Sequence, residues 1–321
     1  MSAAIPSAAG AGALIIDAMS TQKNATLIGL VAILLWSSLV GLIRSVSEGL
    51  GATGGAAMIY TLASALLLVT VGFARLRSMP RPYLCWGSLL FVSYELCMAL
   101  SIGYAHSGRQ AIEVGMVNYL WPTFTLVAAI VFNGQRASAL VVPGLLISLA
   151  GIVCVLGGEQ GLDLAGMQAN VQDNPLSYGL AFAGALIWAA YCTVTARMAK
   201  GSNGITLFFL LTALALWVKY LLLGGGGMHW SLPTAVHLVL AAAAMGFGYA
   251  AWNVGILHGN VTLLAGASYF TPVLSAALAA LLLGVPLTAR FWWGALLVCG
   301  GAMLCWLATR ARTRLQPAAQ G

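Results

Sequence analysis

Apolar residues run along this chain in near-continuous stretches, and polar residues collect in the short breaks between them. The stretches cover 24–44, 52–74, 82–105, 110–133, 138–157, 175–197, 203–224, 232–257, 260–283 and 288–309. A hydrocarbon core about 30 Å thick takes about 20 helical residues to cross, so each stretch is long enough to span it. Apolar positions are continuous instead of alternating with period two, which predicts helices and not a membrane barrel. The breaks hold the residues that end helices and make turns: Gly49-Leu50-Gly51, Ser78-Met79-Pro80-Arg81-Pro82, Asn133-Gly134, Asp173-Asn174-Pro175, Gly201-Ser202-Asn203-Gly204 and the glycines at 224–227. The expected fold is an all-α polytopic membrane protein with ten transmembrane helices.

Composition supports the pattern. Of 321 residues, 61% are hydrophobic and only 7% are charged, too few for a soluble surface of this size. Residues 1–22 are small and weakly polar, and no basic segment precedes the apolar run at 11–16. They are expected to form a disordered cytoplasmic tail and not a signal peptide. The remaining divisions are a first five-helix unit at 23–157, an extracytoplasmic loop at 158–174, a second five-helix unit at 175–309 and a basic cytoplasmic tail at 310–321.

The net charge of +7 reports orientation. Lys23, Arg75, Arg77, Arg81, Arg136, Arg197, Lys200, Arg310, Arg312 and Arg314 lie beside breaks on one side of the membrane. Only Arg44, Arg109, Lys219 and Arg290 lie on or near the other. The positive-inside rule then puts both termini in the cytoplasm. The longest loop carries Glu159, Asp163 and Asp173 without Lys or Arg, which suits the outer side. Basic character of this origin gives no reason to expect a nucleic-acid partner. The six cysteines, Cys85, Cys97, Cys154, Cys192, Cys299 and Cys305, fall inside spans without a CxxC or Cys/His cluster, so they read as core residues and not as disulfides or metal ligands.

Sliding the chain by 150 residues aligns 110–151 with 260–301 without a gap, and eight of the 42 pairs are identical. Tyr119 falls on Tyr269, Pro122 on Pro272, Gly134 on Gly284, Gly144 on Gly294 and Gly151 on Gly301. Trp36 and Trp188 occupy similar places in spans one and six. A repeat of five spans is odd, so its second copy enters the membrane from the opposite side. Inverted repeats of this kind build many secondary transporters, with the substrate held near the midplane between the halves.

Ten helices in a five-plus-five inverted repeat, with Pro122 and Pro272 in spans four and nine, resemble the drug/metabolite transporter superfamily of the EamA type. The resemblance covers about residues 24–310. The run Asn118-Tyr119-Leu120-Trp121-Pro122 makes the chain most similar to the bacterial aromatic amino acid exporters. That resemblance implies a multi-pass protein of the bacterial inner membrane, acting as a monomer without a cofactor, on a small-molecule substrate such as an aromatic amino acid or a planar organic compound.

Helical spacing groups the candidate cavity residues. Asn118, Trp121 and Thr125 form one stripe in span four, with Tyr119 beside them; Ser268, Thr271 and Ser275 form the same stripe in span nine. Span six adds Trp188, Tyr191, Cys192 and Thr195, and span eight adds Tyr249, Trp252, Asn253 and Ile256. Span three offers Tyr94, Met98 and Ser101, and span one offers Trp36. Small polar residues also tie membrane helices together, at about 1 kcal/mol per hydrogen bond, and mid-span aromatics also pack as plain core. As cavity walls they suit flat, ring-bearing substrates or planar cations. Mid-span Arg or Lys, which a phosphorylated substrate would need, is missing. Trp86, Trp230, Trp292, Trp293 and Trp306 sit at span ends, where the headgroup belt lies.

Glu95 is the carboxylate nearest the middle of a span, a candidate proton site or a seat for a substrate ammonium. Glu113 and Lys219 lie nearer span ends, from which they can snorkel. Pro122, Pro272, Gly246 and Gly248 are candidate hinges. No HExxH, GxSxG or Walker motif appears, which argues against an enzyme or an ATP-driven pump, and no ring of charge or filter sequence suggests a channel. Other neutral amino acids or organic cations are the alternative substrates, and a channel is the remoter alternative.

Overall fold

The computed structural model of the chain describes residues 8–73, 76–134, 136–157, 162–200 and 202–313. All regular structure among them is helical. In order it comprises α1 (Ala8–Ser37), α2 (Leu39–Leu50), α3 (Ala52–Thr70), α4 (Arg81–Gly103), α5 (Gly108–Asn118), α6 (Trp121–Asn133), α7 (Val141–Leu156), α8 (Leu164–Asp173), α9 (Pro175–Met198), α10 (Ile205–Leu222), α11 (Leu232–His258), α12 (Val261–Ser268), α13 (Thr271–Leu283) and α14 (Ala289–Thr313), with a single 3-10 turn at Leu76–Ser78. Eight described stretches are long and apolar enough to cross a membrane. Two of these contain a break, Gln22–Leu50 at Ser38 and Gly108–Asn133 at Tyr119-Leu120. Helices α7 and α13 are apolar but shorter, at 16 and 13 residues.

Starts and stops follow from side chains the sequence supplies. The hydroxyls of Ser107 and Ser231 accept from the amides of Gln110 and Thr234, and the side-chain oxygens of Asn174 and Asn260 accept from Ser177 and Leu263. Helices α6 and α13 both end on a left-handed glycine, Gly134 at φ 66° and Gly284 at φ 64°, where a residue with Cβ would be strained. Three differences from the sequence reading stand out. Helix α1 starts at Ala8, inside the stretch read as a disordered tail, of which 1–7 lie outside the described residues, as do 314–321. The expected loop at 158–174 contains α8, capped by Asp163, whose carboxylate accepts from Ala165 N at 3.0 Å. Pro122 and Pro272 stand at the second position of α6 and α13 instead of weakening continuous helices, because a first-turn residue has no intrahelical N–H bond to lose. The discontinuities are the two-residue breaks ahead of them. Gly246 and Gly248 lie within α11, which runs unbroken past both.

Element boundaries repeat at the offset found in the sequence. Adding 150 to the ends of α6 gives those of α13, and adding it to the last residue of α5 gives the last residue of α12. Helices α7 and α14 pack antiparallel through four glycines. A Cβ added to Gly144 would lie 2.9 Å from Gly301 O, and one added to Gly151 would lie 2.7 Å from Gly294 O. These contacts exchange under the shift, since Gly144 corresponds to Gly294 and Gly151 to Gly301. The side-chain hydroxyl of Ser148 donates to Val298 O, the equivalent position, at 3.5 Å. A contact of a position with its own equivalent is the mark of a local twofold axis.

This seam predicts an asymmetry among glycine substitutions. Gly151→Ala forces backbone apart and is expected to cost about 1–3 kcal/mol, as overpacking does. Gly300→Ala, where an added Cβ meets nothing within 4 Å, should be neutral or slightly stabilising. Thermal melting of the two detergent-solubilised variants checks this: only Gly151→Ala should melt several degrees below the parent.

Candidate functional site

Glu95 lies on α4 with 3% of its surface exposed. The hydroxyl of Tyr60, on α3, donates to its Oε2, and that of Tyr249, on α11, donates to its Oε1 at 3.1 Å. One carboxylate therefore joins three helices. Phe91, one turn before Glu95, meets Tyr191, Phe208, Phe209 and Tyr249 with ring centroids 5.4, 5.5, 5.6 and 6.3 Å apart. Tyr60 in turn meets Phe209 at 5.5 Å, and Phe209 meets Tyr249 at 5.2 Å. The carboxylate sits in a shell of aromatic rings.

The expected aromatics join this shell from two sides. Trp188 on α9 meets Tyr94 at 4.4 Å, Tyr191 at 5.0 Å, and Phe91 and Trp121 at 6.1 Å. Trp36, at the end of α1, meets Tyr249 at 5.1 Å and Trp252 at 5.3 Å. Its indole lies where a side chain on Gly248 would be, so that glycine serves close approach. The Trp36 Nε1 hydrogen is buried without an acceptor. Asn118, the last residue of α5, accepts from the Tyr94 hydroxyl at 3.5 Å and donates to Ala181 O at 3.4 Å. Tyr119 and Met98 are partly buried against the same core.

Other expected residues fall elsewhere. Ser101 donates to Met98 O at 2.9 Å, and its own carbonyl accepts from the Ser177 hydroxyl, so it belongs to the seam between α4 and α9. The Thr271 hydroxyl donates to Ser268 O at 2.6 Å, so this pair closes the break between α12 and α13. The side chain of Asn253 lies outside the described residues. Glu113 is only 4% exposed and does not snorkel: it accepts from Arg109 Nε at 3.0 Å and from the Tyr178 hydroxyl at 2.8 Å. Sequence reasoning missed Tyr60, Phe91, Phe208 and Phe209. Phe91, Tyr94 and Glu95 do share a helical face at i, i+3 and i+4, a signal that was available. Tyr60 and the two phenylalanines depend on which helices meet, which no spacing reveals.

Around the α4–α5 connection, polar groups knit several helix ends together. Arg44 Nη1 donates to Ala105 O at 2.5 Å, Asn174 Nδ2 donates to Tyr104 O at 3.0 Å and to Gln110 Oε1 at 2.8 Å, and Gln110 Nε2 donates to Asp173 Oδ2 at 3.0 Å. Near it, a Cβ on Gly108 would sit 3.2 Å from Leu283 Cβ, which brings the start of α5 against the end of α13.

Comparison with known proteins agrees with this architecture. Residues 175–307 match the EamA-like transporter family. The chain is 62% identical over 290 residues to the aromatic amino acid exporter YddG of Escherichia coli, covering 90% of this chain and 99% of that protein. The aromatic amino acid exporter YddG of Ancylobacter novellus is 30% identical over 267 residues, or 79% of this chain and 87% of that one. A solved crystal structure of a protein matches with a TM-score of 0.63 at 26% identity, covering 90% of this chain and 99% of the other. With such identity carried over nearly its whole length, the chain belongs to the EamA-like transporter family, among the aromatic amino acid exporters.

Proposed function

We propose that this chain is a secondary transporter that exports aromatic amino acids and related planar amphiphiles by alternating access. The observation that carries the reading is the aromatic shell around Glu95, drawn from α1, α3, α4, α6, α9, α10 and α11. Flat rings stack favourably on such walls, each aromatic pair contributing about 0.5–1.5 kcal/mol beyond area burial. The names of the relatives supply the same substrate class. Trp36, Tyr94, Met98, Asn118, Tyr119, Trp121, Trp188, Tyr191, Tyr249 and Trp252 are the proposed walls, backed by the fully buried Tyr60 and Phe91. Ser268 and Thr271 act at the break in span nine, and the side chain of Asn253 remains a candidate by its place on α11.

The proposed frame is ten spans in two inverted five-helix repeats, with both termini on the cytoplasmic face of the bacterial inner membrane. The exchanged glycine contacts of α7 and α14 and the matched breaks at 119–120 and 269–270 support it. Lys and Arg asymmetry supports the orientation. Within this frame the two ends of the bundle differ. Every residue from Gln110 to Asn118 in α5 is buried, and α5 packs on both α2 and α13. In α6, only Thr123 is buried, and no packing of similar extent joins α6 to α12 among the described residues. That asymmetry supports a cavity closed toward the exterior and accessible from the cytoplasm, the state that loads an exporter.

Two outcomes test this reading. In proteoliposomes, Trp188→Ala and Tyr94→Ala should each lower export of labelled phenylalanine about tenfold at matched protein level, since about 1.4 kcal/mol of lost binding is a factor of ten. Trp293→Ala, at a ring 66% exposed on α14, should leave it unchanged. Equal rates for all three would reduce the inner aromatics to packing. The second outcome concerns the closed end. Cysteines at Gly108 and Leu283, whose Cβ atoms would lie 3.2 Å apart, should form a disulfide that stops export until reductant is added. Neither single variant should respond to oxidant, and uninterrupted export by the cross-linked protein would refute a moving outer gate.

A further inference from the structure

Among the described residues, Glu48, Glu113 and Asp173 each have a basic side chain beside them, and Asp163 caps the start of α8. Glu48 pairs with Arg44 at 3.0 Å, Glu113 with Arg109 at 3.0 Å and Asp173 with His106 at 3.2 Å. Glu95 is more deeply buried than Glu48 or Asp173, yet no Lys, Arg or His pairs with it among the described residues. Both of its oxygens instead accept from phenols. The carboxyl group thus has its hydrogen bonds provided but no countercharge beside it. An unpaired negative charge in a membrane interior is costly to keep and marks a functional group. The rings around it add to its pull, because their faces attract cations as well.

We infer that Glu95 reads the ammonium group of the substrate, so that the exporter selects aromatic compounds bearing a protonated amine. This inference rests on the aromatic cavity proposed above and names the chemistry that the cavity requires of its cargo. The two phenols are not equivalent. Tyr60 is fully buried at 0% exposure and remains on Oε2 as a fixed donor. Tyr249 is partly exposed, sits three residues after Gly246 and makes the 3.1 Å bond to Oε1. It is the partner an arriving ammonium replaces. The ring of the substrate then lies against Tyr94, the residue before the carboxylate on α4, and Trp188, whose ring centroid is 4.4 Å from that of Tyr94.

Competition against labelled phenylalanine, with purified full-length protein in detergent, tests the assignment. The competitors are phenethylamine, which keeps the ammonium and lacks the carboxylate, and 3-phenylpropionate, which keeps the carboxylate and lacks the ammonium. Phenethylamine should compete at least tenfold better in the parent protein. Glu95→Gln should erase that preference, and Glu95→Asp should retain it, which separates charge from packing. Tyr249→Phe should keep the preference, whereas Tyr60→Phe should weaken it. Equal competition by the two compounds in the parent, or an undiminished amine preference in a folded Glu95→Gln, overturns the assignment. A parent protein that binds no phenylalanine at all overturns the export reading instead, so the two failures are distinguishable.

Discussion

Backbone polar groups have no water to turn to inside a bilayer, and the whole architecture answers to that constraint. Unbroken helices satisfy it by construction, but this chain interrupts helices at Ser38, at Tyr119-Leu120 and at Tyr269-Phe270. Each interruption is closed locally. Ser38 N donates to Leu35 O at 3.2 Å and its hydroxyl donates to the same carbonyl at 2.7 Å. Leu120 N donates to Val117 O at 3.2 Å, and Phe270 N donates to Ala267 O at 3.0 Å. The breaks are therefore tight turns with their hydrogen bonds kept, which is how non-helical backbone is tolerated at membrane depth. Two of them adjoin the aromatic shell: Trp36, Asn118 and Trp121 all lie within two residues of a break.

Electrostatics follows the same logic of local satisfaction. Glu113 is buried near a helix start, and its two partners come from one turn earlier on α5 and from α9, so it fastens those helices without leaving charge unanswered. Glu95 is fastened as firmly by hydrogen bonds but not by charge. The difference separates a structural carboxylate from one with spare capacity, and it lies in the partners and not in the depth of burial. Burial alone would have ranked the two alike, at 4% and 3% exposure.

Much of this was legible in the chain. Continuous apolar runs give helices directly, and turn residues mark their ends, so spans such as 82–105 and 175–197 correspond to α4 and α9 within two residues at either end. The pairing of Gly134 with Gly284 corresponds to matched left-handed caps, whereas the matched breaks at 119–120 and 269–270 fall inside stretches read as continuous spans. What the sequence left open was neighbourhood. Helical faces can be computed for each span separately, so Trp188 and Tyr191 could be grouped on one stripe, and their rings do meet at 5.0 Å. The partners of Glu95 come from α3 and α11, 35 and 154 residues away, and no periodicity connects them. Ser268 and Thr271 misled for the converse reason. A polar stripe suggests a cavity, but at a break it also supplies the hydrogen bonds that the backbone has lost.

The halves repeat in backbone but not in chemistry, and this decides how many sites the fold builds. Helices α4 and α11 both carry proline at their second position, Pro82 and Pro233. Counting from there, Phe91, Tyr94 and Glu95 correspond to Ala242, Met245 and Gly246. Where one helix presents two rings and a carboxylate, its counterpart presents small or flexible groups that other helices approach: Gly246 faces α3 at Ala63 and Leu66, and nearby Gly248 accommodates Trp36. The small side makes room for α1 and α3 to close in, and that closure delivers Tyr60 and Tyr249 to Glu95. With the carboxylate on only one of the two helices, α4 and α11 together build one polar centre instead of two half-sites. On the reading proposed above, a repeated backbone would let the two ends open by equivalent motions, and the unrepeated side chains would keep one binding position common to both.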